Sequence, residues 1–198
     1  MLIKTKPRIL GARISGLELA ESNLGITADE LAAVREGAHI HNSSWNYCSD
    51  SETIGCAGEI FFADRYGLDV DREPRPYGDD GWDFKVWDGT TIDVHTARKP
   101  WYLLAKVRTR HKWADILVLA RYTPHEIELL GWETRETLLN CPRRDFGGFG
   151  DETHYLPAAK LLPMSGLDWI REPETVVELY TQLELAMPIP AGSTMART

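Results

Sequence analysis

The stretch Trp82-Asp83-Phe84-Lys85-Val86-Trp87-Asp88-Gly89-Thr90-Thr91-Ile92-Asp93-Val94-His95-Thr96 alternates apolar and polar residues on both sides of Asp88-Gly89, the pattern of a β-hairpin. Its register decides which side chains share a face, because a slip of one residue turns every side chain to the other side of the sheet. A two-residue loop at Asp88-Gly89 would pair Asp83 with Val94 and send Asp83 and Asp93 to opposite faces. A three-residue loop, Trp87-Asp88-Gly89 with Gly89 in the left-handed bulge position, pairs Val86 with Thr90 and Asp83 with Asp93. Only the second register sorts the residues. Phe84, Val86, Ile92 and Val94 then share an apolar face, and Asp83, Lys85, Thr91, Asp93 and His95 share the other. It also sets two carboxylates against each other, which is unfavourable unless something positive lies between them. A hard divalent cation such as Mg2+ meets that need. A face simply solvated by water is the plain alternative.

Upstream, residues 53–66 have helical periodicity, with Ile54, Phe61 and Phe62 on one face. Gly55 and Gly58 lower the helix propensity there, and are tolerable where a helix lies close against a sheet. Thr27-Ala28-Asp29-Glu30 has capping-box spacing and opens a helix to about residue 39. Residues 1–26, 41–52 and 68–81 read as irregular or loop. Downstream, 114–122 is a nearly continuous apolar run, as in a central strand buried on both faces. Residues 125–132 make a further strand that turns at Gly131 into a short helix over 135–140. A glycine-rich loop at 142–150, a short edge strand at 153–156 and a helical turn from Pro157 follow. Pro173 starts a final helix to about 186, and 188–198 reads as a disordered tail. The fold class is α/β or α+β: a mixed central sheet of about four strands flanked by helices, in one domain over 1–187.

Composition agrees with one such domain. The chain has 198 residues, 43% hydrophobic and 26% charged. No apolar run approaches the ~20 residues that span a membrane, and the basic start leads into no signal core. Three cysteines, Cys48, Cys56 and Cys141, are too few and scattered for a disulfide framework or zinc knuckle, so a cytoplasmic location is expected. A net charge of −8 argues against a chain held to nucleic acid by bulk charge, but is compatible with an enzyme carrying a local basic rim.

Gly55, Gly58 and Glu59 on a helix, Gly81-Trp82-Asp83 entering a strand, and Ile92-Asp93-Val94-His95-Thr96 on the next resemble the PD-(D/E)xK nuclease superfamily. The likeness is greatest to its small phage-type members and runs from about 54 to 164, with a core of about 53–164. It implies a restriction-endonuclease-like core, hydrolysis of DNA phosphodiester bonds, and Mg2+ or Mn2+ held by Asp83, Asp93 and Glu59. It also implies the host-cell cytoplasm if the chain is phage-encoded. His95 stands where the superfamily has lysine. Either His95 serves as base or ligand, or a lysine elsewhere, Lys85 on the same face or Lys99 beside Arg98, takes over, or the site is inactive. In the last case the fold would act as a binding or inhibitor module through protein contacts. RNA remains an alternative substrate, and a homodimer or protein partner could supply affinity.

Other candidates are less specific. Arg108, Arg110, His111 and Lys112 form the densest basic stretch and suit a phosphate-contacting rim or a solvated loop equally. Trp101 and Tyr102 could stack on bases, though aromatics in this setting more often belong to a core. His39-x-His41 reads as a surface pair.

Overall fold

The computed structural model describes residues 14–15, 24–36, 51–73 and 81–171. The expected final helix at 173–186, the tail, the His39/His41 pair and most of the 41–52 loop lie outside these. Among the described residues the chain runs β1 (Ile14–Ser15), α1 (Ala28–Glu36), α2 (Ser51–Tyr66), β2 (Phe84–Lys85), β3 (Thr91–Ala97), β4 (Tyr102–Lys106), a 3-10 turn over Val107–Lys112, then β5 (Ile116–Thr123) and β6 (Glu126–Thr134). After α3 (Arg135–Leu139) come β7 (Arg143–Asp145), β8 (Glu152–Pro157) and two more 3-10 turns, Ala158–Lys160 and Met164–Ile170.

The hairpin adopts the odd register. Phe84 pairs with Ile92 and Lys85 with Thr91, the Val86 N–H donates to the Thr90 carbonyl (2.9 Å), and Gly89 takes φ 91°. Burial follows: Phe84, Val86, Ile92 and Val94 are all buried. The capping box also forms. The Thr27 N–H donates to Glu30 Oε2 (2.8 Å) and the Glu30 N–H to Thr27 Oγ1 (3.2 Å).

Four strands of the main sheet match the expectation, and two-residue β1 adds a fifth at one edge, giving the order β1-β6-β5-β3-β2. The sheet is mixed: β3 and β5 are parallel and the other pairs antiparallel. A parallel pair needs a long crossover, and here the crossover carries β4 and the turn over 107–112. β5 is buried on both faces, as its unbroken apolar run implies. Val118 and Ala120 face a core built on α1 and α2, while Leu117 and Leu119 face a second core with Leu103, Ala105, Trp113 and Leu138.

Several expectations are corrected. α2 begins at Ser51, where Glu52 favours the positive helix end. β6 does not turn at Gly131 but continues to Thr134, whose Oγ1 accepts the Thr137 N–H (3.2 Å) and caps α3. Residues 153–156 are not an edge: β8 is the middle strand of a second, antiparallel sheet, β4-β8-β7. Part of the 142–150 loop is strand β7. Trp101 and Tyr102 are exposed, not core.

Candidate functional site

Asp83 sits just before β2, where the ladder to β3 runs out. Its N–H donates to the Ile92 carbonyl (2.8 Å), and its Oδ2 accepts the Val94 N–H (2.7 Å), on the side of β3 away from β5 where the β2 ladder has ended. Gly81 makes this path possible. At φ 89° a Cβ there would lie 2.1 Å from the Lys112 carbonyl oxygen, so only glycine brings the chain this close to the turn over 107–112.

On β3, Asp93 Oδ2 lies 2.8 Å from His95 Nε2. Burial works to lower the His95 pKa, but the charge and hydrogen bond of Asp93 together outweigh it and hold the imidazole above its ordinary value. Both side chains stay about one-third open, at 29% and 33%. They line a cavity of about 650 Å³. Its far wall is β4 with Lys106, its floor includes Trp113 and Leu117, and Lys112 contributes from the adjoining turn. Phe146 and Phe149, on the loop after β7, close one side.

Glu59 takes a different partner. It is 6% exposed on α2 and is gripped by Arg35 of α1, Nη1 to Oε1 at 2.9 Å and Nη2 to Oε2 at 2.8 Å. Arg35 Nη2 also donates to the Asp71 carbonyl (3.1 Å), tying α1, α2 and the following loop together. Burial pushes the Glu59 carboxyl up, and the Arg35 hydrogen bonds and charge pull it back. For Arg35, burial opposes the charge, but Glu59 more than offsets it and the guanidinium is held firmly protonated. Asp83 acts on Arg35 in the same sense, and Asp93 is close enough to raise the Glu59 pKa further. Neighbouring Cys56 is no nucleophile, since burial and the Glu59 charge push its thiol up to about 12.

The structure therefore brings Asp93 and His95 together in a cavity wall, keeps Asp83 close by on the backbone of β3, and gives Glu59 to an ion pair. The expected three-carboxylate metal centre does not fit this arrangement: one donor set faces Arg35, one the Val94 N–H and one His95. Among the described residues no three His, Cys, Asp or Glu side chains come together as a metal-binding group. Lys85 pairs beside Thr91, is exposed and lies outside the cavity. Arg98 stacks over the Tyr122 ring (5.9 Å), Lys99 and Arg110 are exposed, and Arg108 pairs with Asp151 (3.4 Å).

Arg35, Lys106 and the cavity role of Lys112 are the residues that sequence reasoning missed. Arg35 left a signal. It lies four residues after Leu31 and three after Ala32, on the buried stripe of α1, and a charge on such a stripe needs a partner. No family model, curated protein or solved structure matches the chain. No helix of the described residues is long and apolar enough to cross a membrane.

Proposed function

We propose that this chain hydrolyses phosphodiester bonds of nucleic acid in the cavity walled by β3 and β4. The observation that carries the reading is the Asp93–His95 pair, 2.8 Å apart, in one cavity with Lys106 and Lys112. With Nε2 turned to Asp93, Nδ1 is the nitrogen that can take a proton from water. The water oxygen then bonds to phosphorus, the P–O ester bond breaks, and the leaving oxygen is protonated from solvent. Lys106 and Lys112 would offset the phosphate charge that builds up in the transition state. The residues give no reason to route a step through a metal ion.

The test is cleavage of plasmid and of single-stranded DNA by wild type, His95→Ala and Asp93→Asn, with and without Mg2+ or Mn2+. Loss of general-base catalysis should cost roughly 100- to 10,000-fold in His95→Ala. As a base His95 must be neutral, so activity should rise with pH through its raised pKa. Asp93→Asn removes the charge that raises it and should move that inflection to lower pH. Cleavage that needs a divalent ion and vanishes in Asp83→Ala would instead return the chemistry to the carboxylates. A wild type inert under every condition would favour the second reading, a non-catalytic binding module. That reading draws on the Arg35–Glu59 pair, which turns an acid expected in the site into a structural tie.

A further inference from the structure

The small sheet has one buried and one open face. Leu103, Ala105 and His154 turn inward, and His154 meets the Trp113 ring edge-on at 5.5 Å. In the observed register Leu104 pairs with Tyr155, Tyr102 with Pro157, and Lys106 and Arg144 both with Thr153, which sets the alternate side chains on the open face. There the Tyr102, Tyr155 and Phe146 rings form a cluster. Tyr102 to Tyr155 is 5.4 Å, Phe146 to Tyr155 5.6 Å and Tyr102 to Phe146 5.9 Å, with the Arg144 guanidinium 5.5 Å over Phe146. Tyr102 and Phe146 remain 38% and 45% exposed, and Leu104 beside them 38%.

The loop that carries Phe146 is held in shape. The Asp145 carboxylate accepts the N–H groups of Gly147 (3.0 Å), Gly148 (2.7 Å) and Gly150 (2.6 Å). The rings are thus presented by a pinned loop and a sheet, which limits the ordering cost of binding.

We propose that this face is a stacking platform for single-stranded nucleic acid, leading the strand into the cavity that holds Asp93 and His95. The proposal rests on the hydrolytic reading above and names its substrate class. Three observations select this occupant. Aromatic rings joined to cations are the general means of holding unpaired bases and their phosphates. Lys106 and Arg144 place two cations beside the rings on a chain whose net charge is −8, where a phosphate backbone following the stacked bases can meet them. The platform is continuous with the cavity, since Leu104, Lys106 and Phe146 line both. A second copy of the chain is the poorer fit, because a two-fold contact would set the same cations against each other.

Binding of fluorescein-labelled oligothymidine and oligouridine by anisotropy tests this, with the variants made in a His95→Ala background so that turnover cannot intervene. Phe146→Ala and Tyr102→Ala should each weaken binding by about five- to 150-fold, the range that one lost base stack implies. Phe146→Trp should keep affinity and Phe146→Leu should lose it, which separates stacking from folding. Trp87→Ala removes an exposed ring on the hairpin loop, outside both platform and cavity, and should change nothing. Equal affinity across the Phe146 and Tyr102 variants, or duplex bound as tightly as single strand, would overturn the proposal. So would ring variants that only dissolve a dimer in sedimentation while no oligonucleotide binds. Ring-dependent binding without any cleavage by wild type would leave the platform standing and remove the hydrolytic reading. Cleavage indifferent to the rings would do the reverse.

Discussion

Arg35 shows how a single residue changes what a site can be. Glu59 is buried, and a buried carboxylate needs either a cation or a proton. Here the cation comes from α1, at the end of a stripe that otherwise buries Leu31 and Ala32. Replacing one partner of such a pair leaves the other unpaired in the interior, so Arg35→Ala should cost about 3–5 kcal/mol in urea unfolding. The pH dependence identifies the cause. Arg35 pulls the Glu59 pKa down, so in the variant it rises further; stability is then kept while Glu59 is protonated and falls as pH rises through that value. The loss relative to wild type should therefore be smaller in mild acid than at neutral pH. Removing both charges, in Arg35→Met with Glu59→Met, should recover most of the loss. A double variant no better than Arg35→Ala would mean that α1 needs the guanidinium for its contact with the Asp71 carbonyl instead.

At the scale of elements, the two glycines of α2 look alike in sequence and differ in the fold. A Cβ on Gly58 would lie 1.9 Å from Thr96 Oγ1, so the helix backbone rests directly on the Thr96 side chain. A Cβ on Gly55 would meet nothing within 4 Å. Gly55→Ala should therefore gain up to about 1 kcal/mol of helix propensity. Gly58→Ala should lose roughly 1–3 kcal/mol despite the same gain, because the Thr96 side chain must be displaced to make room. Thermal unfolding of the two variants is the check, and a stabilised Gly58→Ala would disprove the close contact. The same contrast explains what the sequence could convey. The hairpin register was readable because a turn and a period of two act locally, and it was enough to put Asp93 and His95 on one face. β4 and β7 were not readable. Tyr102–Lys106 breaks the period of two with its Leu103-Leu104-Ala105 run and Arg143–Asp145 has no apolar residue, and both are strands because β8 pairs with them from elsewhere in the chain. Without those strands neither the cavity nor the clustering of Tyr102 with Phe146 and Tyr155 could be seen, although Tyr102 by itself reads as a stacking candidate. Asp83 is a similar case: its position followed from the register, but its bond to the Val94 N–H depends on where β2 ends.

Across the described molecule, one strand joins everything that the site needs. β5 sends Val118 and Ala120 to the core under α2 and Leu117 and Leu119 to the core under β4. The cavity is walled from both sides of this arrangement, by Asp93 and His95 on β3 and by residues 104–106 on β4. If the small sheet opened by itself, the platform and the catalytic pair would part company; if it unfolds only with the main sheet, the wall is as durable as the fold. The shared strand favours the second behaviour, since Leu103 and Ala105 are buried directly against β5 residues and regain no partner on opening. Leu117→Ala should cost about 2–5 kcal/mol through the cavity it leaves. Hydrogen exchange followed by mass spectrometry should then show peptides of β4 and β8 losing protection together with those of β3 and β5, by similar free energies. Protection lost from β4 and β8 alone would make the small sheet a separately opening unit. The cavity would then be a gated space whose far wall comes and goes, and the Asp93–His95 pair would meet its substrate only in the closed fraction.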